Sequence, residues 1–448
     1  MTDSIYQIPE VAGLDTCQGM IRIPNQLNVP LTDRVQAIVD SRPFRRLARI
    51  SQLGLVSLVY PGANHSRFEH SLGVYRMSLL FLRQLSRWPE FNRLISVELA
   101  ERFIVAALLH DIGHWPFCHP MEDLQLPQIP RHEEFARQML SDLEISQILR
   151  SQWRISSEQV VEVLAGTSDN PAIRLLQSLL SGPVDVDKLD YLYRDSLHAG
   201  VAYGGNFDQQ RLLDSLCLNA NSDGVAVTSK GKTAAEMMIF ARYVMFSEVY
   251  WHHTVRAATA MLQRSVYELS STVDWPSFFA LDEATFVRQL QEAAGDTSVR
   301  TLLDGLFGEK RLLYKRIDEF NCLESPSLYA AIAHSSYPRL VDVSKHLQQQ
   351  LSNKMQEDLP PHAILVDAAP AKLEVECNIQ IRSPKTGAYQ QLADVSPVVK
   401  TLAESQFDHY VKRVRVFVSP LICEKVNFPP KATRAILSDV INAMDHSS

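Results

Sequence analysis

Val105-Ala-Ala-Leu-Leu-His-Asp-Ile-Gly-His114 has the apolar continuity of the last turns of a buried helix, with Gly113 as the residue expected to close it. His110 and Asp111 are then expected side by side where the helix stops. Adjacent helical side chains point about 100° apart, so sharing one metal ion requires both to reach across the helix end. Taken alone, the pair is more simply a buried, hydrogen-bonded histidine followed by an aspartate at a helix terminus, because a dipeptide matches by chance.

Two other segments change that balance. In Asn64-His-Ser-Arg-Phe-Glu-His-Ser-Leu-Gly-Val74, Ser66 and Glu69 have the spacing of a capping box, which places His70 in the second turn of a helix. In Val184-Asp-Val-Asp-Lys-Leu-Asp-Tyr-Leu-Tyr-Arg-Asp195, residues Asp187, Tyr191 and Asp195 fall at i, i+4 and i+8 on one helix stripe. A polar stripe of that kind needs a reason. Asp190 and Arg194, also four apart with the acid first, suit a structural ion pair.

The order His70, His110-Asp111, Asp187 resembles the H…HD…D signature of the HD-domain metal phosphohydrolases. The flanking words Gln52-Leu-Gly54, Pro61-Gly-Ala63, Arg67-Phe-Glu-His-Ser-Leu-Gly-Val74, His110-Asp-Ile-Gly-His114, Pro116-Phe117, His119 and Asp185-Val-Asp-Lys-Leu-Asp-Tyr191 resemble the branch that hydrolyses deoxynucleoside triphosphates. The likeness runs from about residue 15 to about residue 265. It implies that His70, His110, Asp111 and Asp187 hold one divalent ion. Two imidazoles and two carboxylates suit Mn, Fe, Co, Ni or Zn better than the all-oxygen shell of Mg, which is expected only as a bridge on the substrate phosphates.

The same resemblance implies His119 as the catalytic histidine near the leaving oxygen, with His132 and Glu122 orienting it or a water. The family more often has Asp where this chain has Glu122. Arg67, His114 and Lys188 resemble phosphate contacts, Arg offering a planar fork and Lys a point charge. Tyr191 would pack on the sugar and exclude a ribose 2′-hydroxyl, while Asp195 and Gln52 would take the 3′-hydroxyl. Tyr250, in Tyr243-Val-Met-Phe-Ser-Glu-Val-Tyr-Trp-His-His-Thr-Val-Arg256, is a further substrate contact on the same grounds. Some relatives have Arg where Glu248 stands, and an acid facing the pocket would repel a triphosphate. The family's usual Asp-Pro-x-His-Gly is here Asp15-Thr-Cys-Gln-Gly19, so no role is carried over to that arm.

The 448 residues exceed what one core usually holds, and 46% hydrophobic with 21% charged residues is ordinary globular composition. No apolar run reaches the roughly 18 residues a membrane helix needs, and the amino terminus lacks a signal-peptide pattern. A cytoplasmic protein is therefore expected. Cys17, Cys118, Cys217, Cys322, Cys377 and Cys423 form no C-x-x-C pair, which indicates reduced thiols rather than a disulfide framework or zinc ribbon. A net charge of −7 argues against non-specific nucleic-acid binding.

The expected fold is mainly α: an HD-domain helical core with a short N-terminal β arm and a small C-terminal α+β region. The boundaries drawn are 1–30 for the arm, 31–270 for the core, 271–360 for a helical extension and 361–448 for the α+β region. Helices are expected across 32–53 with a break at Ser41, then 66–86, 97–110, 131–142, 157–165, 171–181, 186–198 and 232–268. Trp115 to Pro130 is expected as a loop. Arg45, Arg46 and Arg49 read as a solvated helical face. Ala363-Ile-Leu-Val-Asp, Leu373 to Ile381 and Arg413 to Val418 alternate as strands do, with a helix at 397–404 between the later strands.

Three functions compete: hydrolysis of deoxynucleoside triphosphates to deoxynucleoside and tripolyphosphate; hydrolysis of another nucleotide or phosphate ester such as a nucleoside monophosphate; and a nucleotide sensor or single-stranded nucleic-acid binder. The expected partners are the deoxynucleoside triphosphate and, by resemblance, further copies of the chain in a homo-oligomer.

Overall fold

Ser66 starts the 19-residue helix α1 (Arg67–Leu85), its hydroxyl accepting from the Glu69 amide at 3.3 Å. Ser96 does the same for α2 (Val97–Leu109), and Asp185 for α3 (Val186–Ala199), which stops at Gly200 with φ 70°. α1 packs against both α2 and α3. Leu72, Val74, Leu79, Phe81 and Leu82 of α1 and every residue from Phe103 to Leu109 of α2 are buried. Each large apolar side chain so buried contributes about 1.5–3 kcal/mol.

The computed structural model describes the chain apart from residues 1–3, 17–18, 26, 166–167, 334, 370–377, 403–406, 427–428 and 447–448. It divides into two units, each discontinuous in sequence. The first comprises residues 1–116, 131–245 and 375–404, and the second residues 117–130, 246–374 and 405–448.

Besides the three helices, the first unit holds an antiparallel hairpin, Met20–Ile23 with Leu27–Pro30. It also holds a four-stranded sheet in the order Leu216–Leu218, Val225–Thr228, Gln380–Arg382, Tyr389–Gln391. Val225–Thr228 and Gln380–Arg382 run parallel, with Val227 opposite Ile381.

The second unit is built on a three-stranded antiparallel sheet, Lys315–Phe320, Val414–Val418 and Ile364–Ala368, with Val414–Val418 central and buried throughout. Period-two alternation sorts its faces. Val414, Val416, Val418, Ile364 and Val366 join the core made with Leu340, Val343, Leu347 and Leu351 of α4 (Tyr337–Met355) and Leu437 and Ile441 of α5 (Pro430–His446). Asp367 and Arg415, opposite each other in register, point to the other face. There Asp367 takes a forked ion pair from the buried Arg256, at 3.0 Å from Nε and 2.5 Å from Nη2.

Mainly helical architecture with small sheets agrees with the expectation, and four local features differ. Helix α2 ends at Leu109, before Gly113. Gly113 is needed instead for close packing, since a Cβ there would lie 2.3 Å from the His132 carbonyl and 2.5 Å from the Ala136 amide. Residues 232–268 are not one helix: Lys232–Val244 passes into a π turn over Met245–Tyr250, and a new helix runs His253–Glu268 after the His252 side chain caps it. Residues 270–360 include the strand Lys315–Phe320. The segment Trp115 to Pro130 contains a short helix, Cys118–Glu122. Leu373 to Cys377, most of one expected strand, lies outside the described residues, as do residues 403 and 404 of the helix expected at 397–404, found as Pro397–Thr401.

Candidate metal centre and active site

The first unit brings His70, His110, Asp111 and Asp187 together. His70 comes from the start of α1, His110 and Asp111 from the end of α2, and Asp187 from the first turn of α3. His70 Nε2 lies 3.2 Å from His110 Nε2 and 3.0 Å from Asp187 Oδ1. His110 Nε2 is 3.4 Å from Asp111 Oδ1 and 3.9 Å from Asp187 Oδ1. The ligand atoms of His70, His110 and Asp187 all fall within 4.8 Å of one another.

The opposite edges of both rings decide what these atoms can do. His110 Nδ1 is 2.9 Å from the Ala107 carbonyl, which can only accept, so neutral His110 carries its proton on Nδ1 and its lone pair on Nε2. His70 Nδ1 is 2.9 Å from Asp190 Oδ2, which likewise accepts. With both rings neutral, two lone pairs and two carboxylates would face one another, an arrangement that a proton or a metal ion relieves. Burial alone would lower the basicity of His70, but the hydrogen bonds to Asp187 and Asp190 and the charge of Asp111 outweigh it and push its pKa up to about 10. Burial likewise opposes the ionised form of Asp111, yet His114, Arg67 and His110 hold its carboxyl well below the usual range. A nitrogen and oxygen set with a demand for cation fits a divalent transition metal.

Neighbouring groups fix this centre. Arg67 Nη1 donates to Asp111 Oδ2 at 2.9 Å, and His114 Nδ1 lies 3.1 Å from Asp111 Oδ1. Ser51 and Ser66 form a β-bridge, with the Gln52 amide bonded to the His65 carbonyl at 2.9 Å, so Gln52 sits beside the start of α1. Among the described residues, Gln52 Oε1 and Arg67 Nε are buried without a hydrogen-bond partner. Such atoms are costly to leave unmet and mark where a polar ligand can be received. Asp195 Oδ1 is held by His65 Nε2 at 2.9 Å, and Tyr191 is half-buried one turn earlier on α3. His132 is half-buried, its ring centroid 4.1 Å from that of His114.

Lys188 differs from a side chain reaching for phosphate. Its ammonium bonds the Gly182 carbonyl at 3.0 Å and the Asp185 carboxylate, the same group that caps α3. Burial, partly offset by Lys188, pushes Asp185 up to about 6. His119, Glu122 and Tyr250 belong to the second unit. There His119 is exposed, with Nδ1 3.4 Å from Glu122 Oε2, on a helix preceded by Phe117 at φ 57°. Tyr250 packs edge-on against Phe246 at 5.1 Å, and Glu248 in the same turn is exposed.

A model of the HD domain matches residues 67–182, and a model of the HD associated region matches residues 207–438, half of the chain. The chain belongs to the HD-domain phosphohydrolase family. The HD match contains His70, His110 and Asp111, and Asp187 lies just beyond its end. The chain is similar to the uncharacterized protein YwfO of Bacillus subtilis, 36% identical over 53% of this chain and 52% of that protein. It is also similar to the deoxynucleoside triphosphate triphosphohydrolase SAMHD1 of Gallus gallus, 27% identical over 63% of this chain and 53% of that protein. The alignments thus span about half the length of both relatives. A crystal structure of a hypothetical protein from Aquifex aeolicus superimposes with a TM-score of 0.69 at 27% identity, covering 93% of this chain and 99% of that one. Among the described residues no helix is long and apolar enough to cross a membrane.

Two supports of the HD centre escape the sequence. Arg46 is not a solvated cation: its Nη2 donates to the carbonyls of Ile112 and His114 at 2.9 and 2.8 Å, holding the turn that carries His110 and Asp111. His65 and His198 stack with ring centroids 4.4 Å apart, and His198 Nε2 lies 2.9 Å from Glu69 Oε1. Glu69 is therefore occupied by His198 and Arg194 rather than by closing a capping box. The only advance signal was the density of histidine and acid in residues 64–74.

Proposed function

We propose that this chain hydrolyses deoxynucleoside triphosphates to deoxynucleoside and tripolyphosphate, with His70, His110, Asp111 and Asp187 holding one divalent transition metal. The observation that carries the reading is the convergence of the His70 and His110 Nε2 atoms, 3.2 Å apart, on Asp187. The likeness to SAMHD1, named as a deoxynucleoside triphosphate triphosphohydrolase, supports the choice of substrate. When bound, such an ion supplies Lewis-acid activation of a phosphate oxygen and of water.

The side chains take the remaining work. Arg67, anchored on Asp111, keeps Nε for a phosphate oxygen, and His114 lies beside the same carboxylate. Asp195 accepts from the 3′-hydroxyl, the Gln52 side chain makes a second contact to that hydroxyl, and the Tyr191 ring packs against the sugar. His119 supplies the proton to the departing sugar oxygen, with Glu122 holding its Nδ1 edge and His132 assisting. Lys188 contacts phosphate only after leaving Asp185. Tyr250 is assigned to the base end of the nucleotide. Mg on the substrate phosphates and assembly of several copies belong to the same proposal.

The test is a product assay on the four deoxynucleoside triphosphates and their ribo counterparts with Mn²⁺, Co²⁺, Fe²⁺ and Mg²⁺, with His110→Ala as control. Deoxynucleoside and intact tripolyphosphate are expected from the parent, and loss of both from the variant and after chelation. Release of inorganic phosphate from a monophosphate alone would replace this substrate with a smaller ester.

A further inference from the structure

Asp190 and Arg194 read in sequence as an ion pair and nothing more, but they are directed at His70. Arg194 forks onto Asp190, Nε to Oδ2 at 2.8 Å and Nη2 to Oδ1 at 2.7 Å, and the same Oδ2 lies 2.9 Å from His70 Nδ1. A carboxylate forked onto a guanidinium can only accept, so the contact requires the imidazole proton to sit on Nδ1. In the neutral ring the lone pair is then on Nε2, the atom that faces His110 and Asp187.

Arg194 is itself held in place. Its Nη1 donates to Glu69 Oε1 at 2.7 Å, and Glu69 precedes His70 on α1. Asp190 and Arg194 are 5% and 3% exposed, so solvent does not compete for these bonds. The space they fill is reserved on α1 by Gly73, where a Cβ would lie 2.0 Å from Asp190 Oδ1 and 2.3 Å from Arg194 Nη2. One helical turn thus carries a candidate ligand, the acid that anchors its support and the gap in which that support sits.

We propose that Asp190, clamped by Arg194 in the space left by Gly73, is the positioning residue that fixes the tautomer and ring direction of His70 and thereby sets the affinity of the metal centre. Metal-bound histidines are commonly tuned by an acceptor on the far nitrogen. The inference rests on His70 being a ligand, as proposed above.

Two variants separate position from charge. Asp190→Asn keeps the volume but puts an NH₂ in place of one of the two oxygens that take three donors. Gly73→Ala retains every charge and displaces the clamp by one methyl group. The probe is Co²⁺ alone, titrated into the full chain in competition with a chelator. In parallel, metal-free protein labelled with ¹⁵N-histidine reports which His70 nitrogens carry protons from long-range ¹⁵N–¹H correlations, which a merely structural role would leave unchanged.

The parent should show His70 protonated on Nδ1. Asp190→Asn should gain the Nε2–H form and bind Co²⁺ about 10- to 100-fold more weakly, with Gly73→Ala shifted the same way. Arg288→Ala, which removes only a surface pair with Glu292, should bind as the parent does. If Asp190→Asn does not fold, Gly73→Ala decides with the same two readouts. Folded variants that keep His70 protonated on Nδ1 and keep the parent's Co²⁺ affinity would overturn the inference and leave the metal reading standing. A parent that takes up no Co²⁺ would overturn both.

Discussion

Tyr191 and Asp187 lie one turn apart on α3, and that spacing leads to a prediction about sugar choice. If the Tyr191 ring closes on the C2′ side of the sugar, Tyr191→Ala should lower the preference for deoxy over ribo substrate by about 10- to 100-fold. The measurement is kcat/KM on matched pairs, and an unchanged ratio with both activities reduced would reject the steric account. The centre itself was legible because its residues sit in short, chemically unusual words: a His-Asp at the end of an apolar helix, and acids four apart on a polar stripe. Asp190 and Arg194 were half legible, since i, i+4 spacing reveals the ion pair but not the imidazole beside it. Arg46 was not legible at all. Its two carbonyl acceptors lie more than sixty residues away in sequence, and only the fold selects it from Arg45 and Arg49.

Among elements, the helix His253–Glu268 and the strand Ile364–Ala368 are joined by charge at a buried face of the sheet. Arg256 and Asp367 are 5% and 3% exposed. Removing one partner leaves a buried charge, so Asp367→Ala should cost about 3–5 kcal/mol, read as a lower urea midpoint. A double change of Arg256 and Asp367 to apolar residues of similar volume should recover much of that loss. On the strand Lys315–Phe320, burial works against the ionised form of Glu319, but Arg415, Arg316 and Arg413 lower its pKa below the ordinary glutamate value. A depressed carboxyl contributes stability that is complete above the unfolded-state pKa and disappears as pH falls through the folded one. Glu319→Gln should therefore unfold at lower urea than the parent at pH 7, and the two should converge in acid. A gap of constant size across the pH range would refute that assignment. This strand was missed in sequence because Asp318, buried against Arg434, occupies an inward position where a hydrophobic residue would have shown the alternation.

For the molecule as a whole, sequential boundaries at 30, 270 and 360 contrast with units that are interleaved along the chain. Local periodicity marks elements but carries no sign of which distant strand will pair with which. Val225–Thr228 pairs in parallel with Gln380–Arg382, and Tyr389–Gln391 completes that sheet. Arg382 also stacks over Trp88 at 4.7 Å, and Lys232 Nζ bonds the Val395 carbonyl at 2.5 Å. A chain ended after residue 404 should therefore keep slow amide exchange over residues 225–228, whereas one ended after residue 370 should lose it. Exchange followed by mass spectrometry tests this, and equal protection in both would show that the later strands are dispensable.

The same parallel pairing sets a timetable for synthesis. Val225–Thr228 leaves the ribosome about 150 residues ahead of its partner, which at roughly 5–20 residues per second is a wait on the order of 10–30 s. Throughout that interval the nascent chain carries an unpaired apolar edge beside helices that already have their caps. A chaperone bound to this edge would leave only when Gln380–Arg382 arrives, so the unit with the candidate metal centre is finished by one of the last segments made.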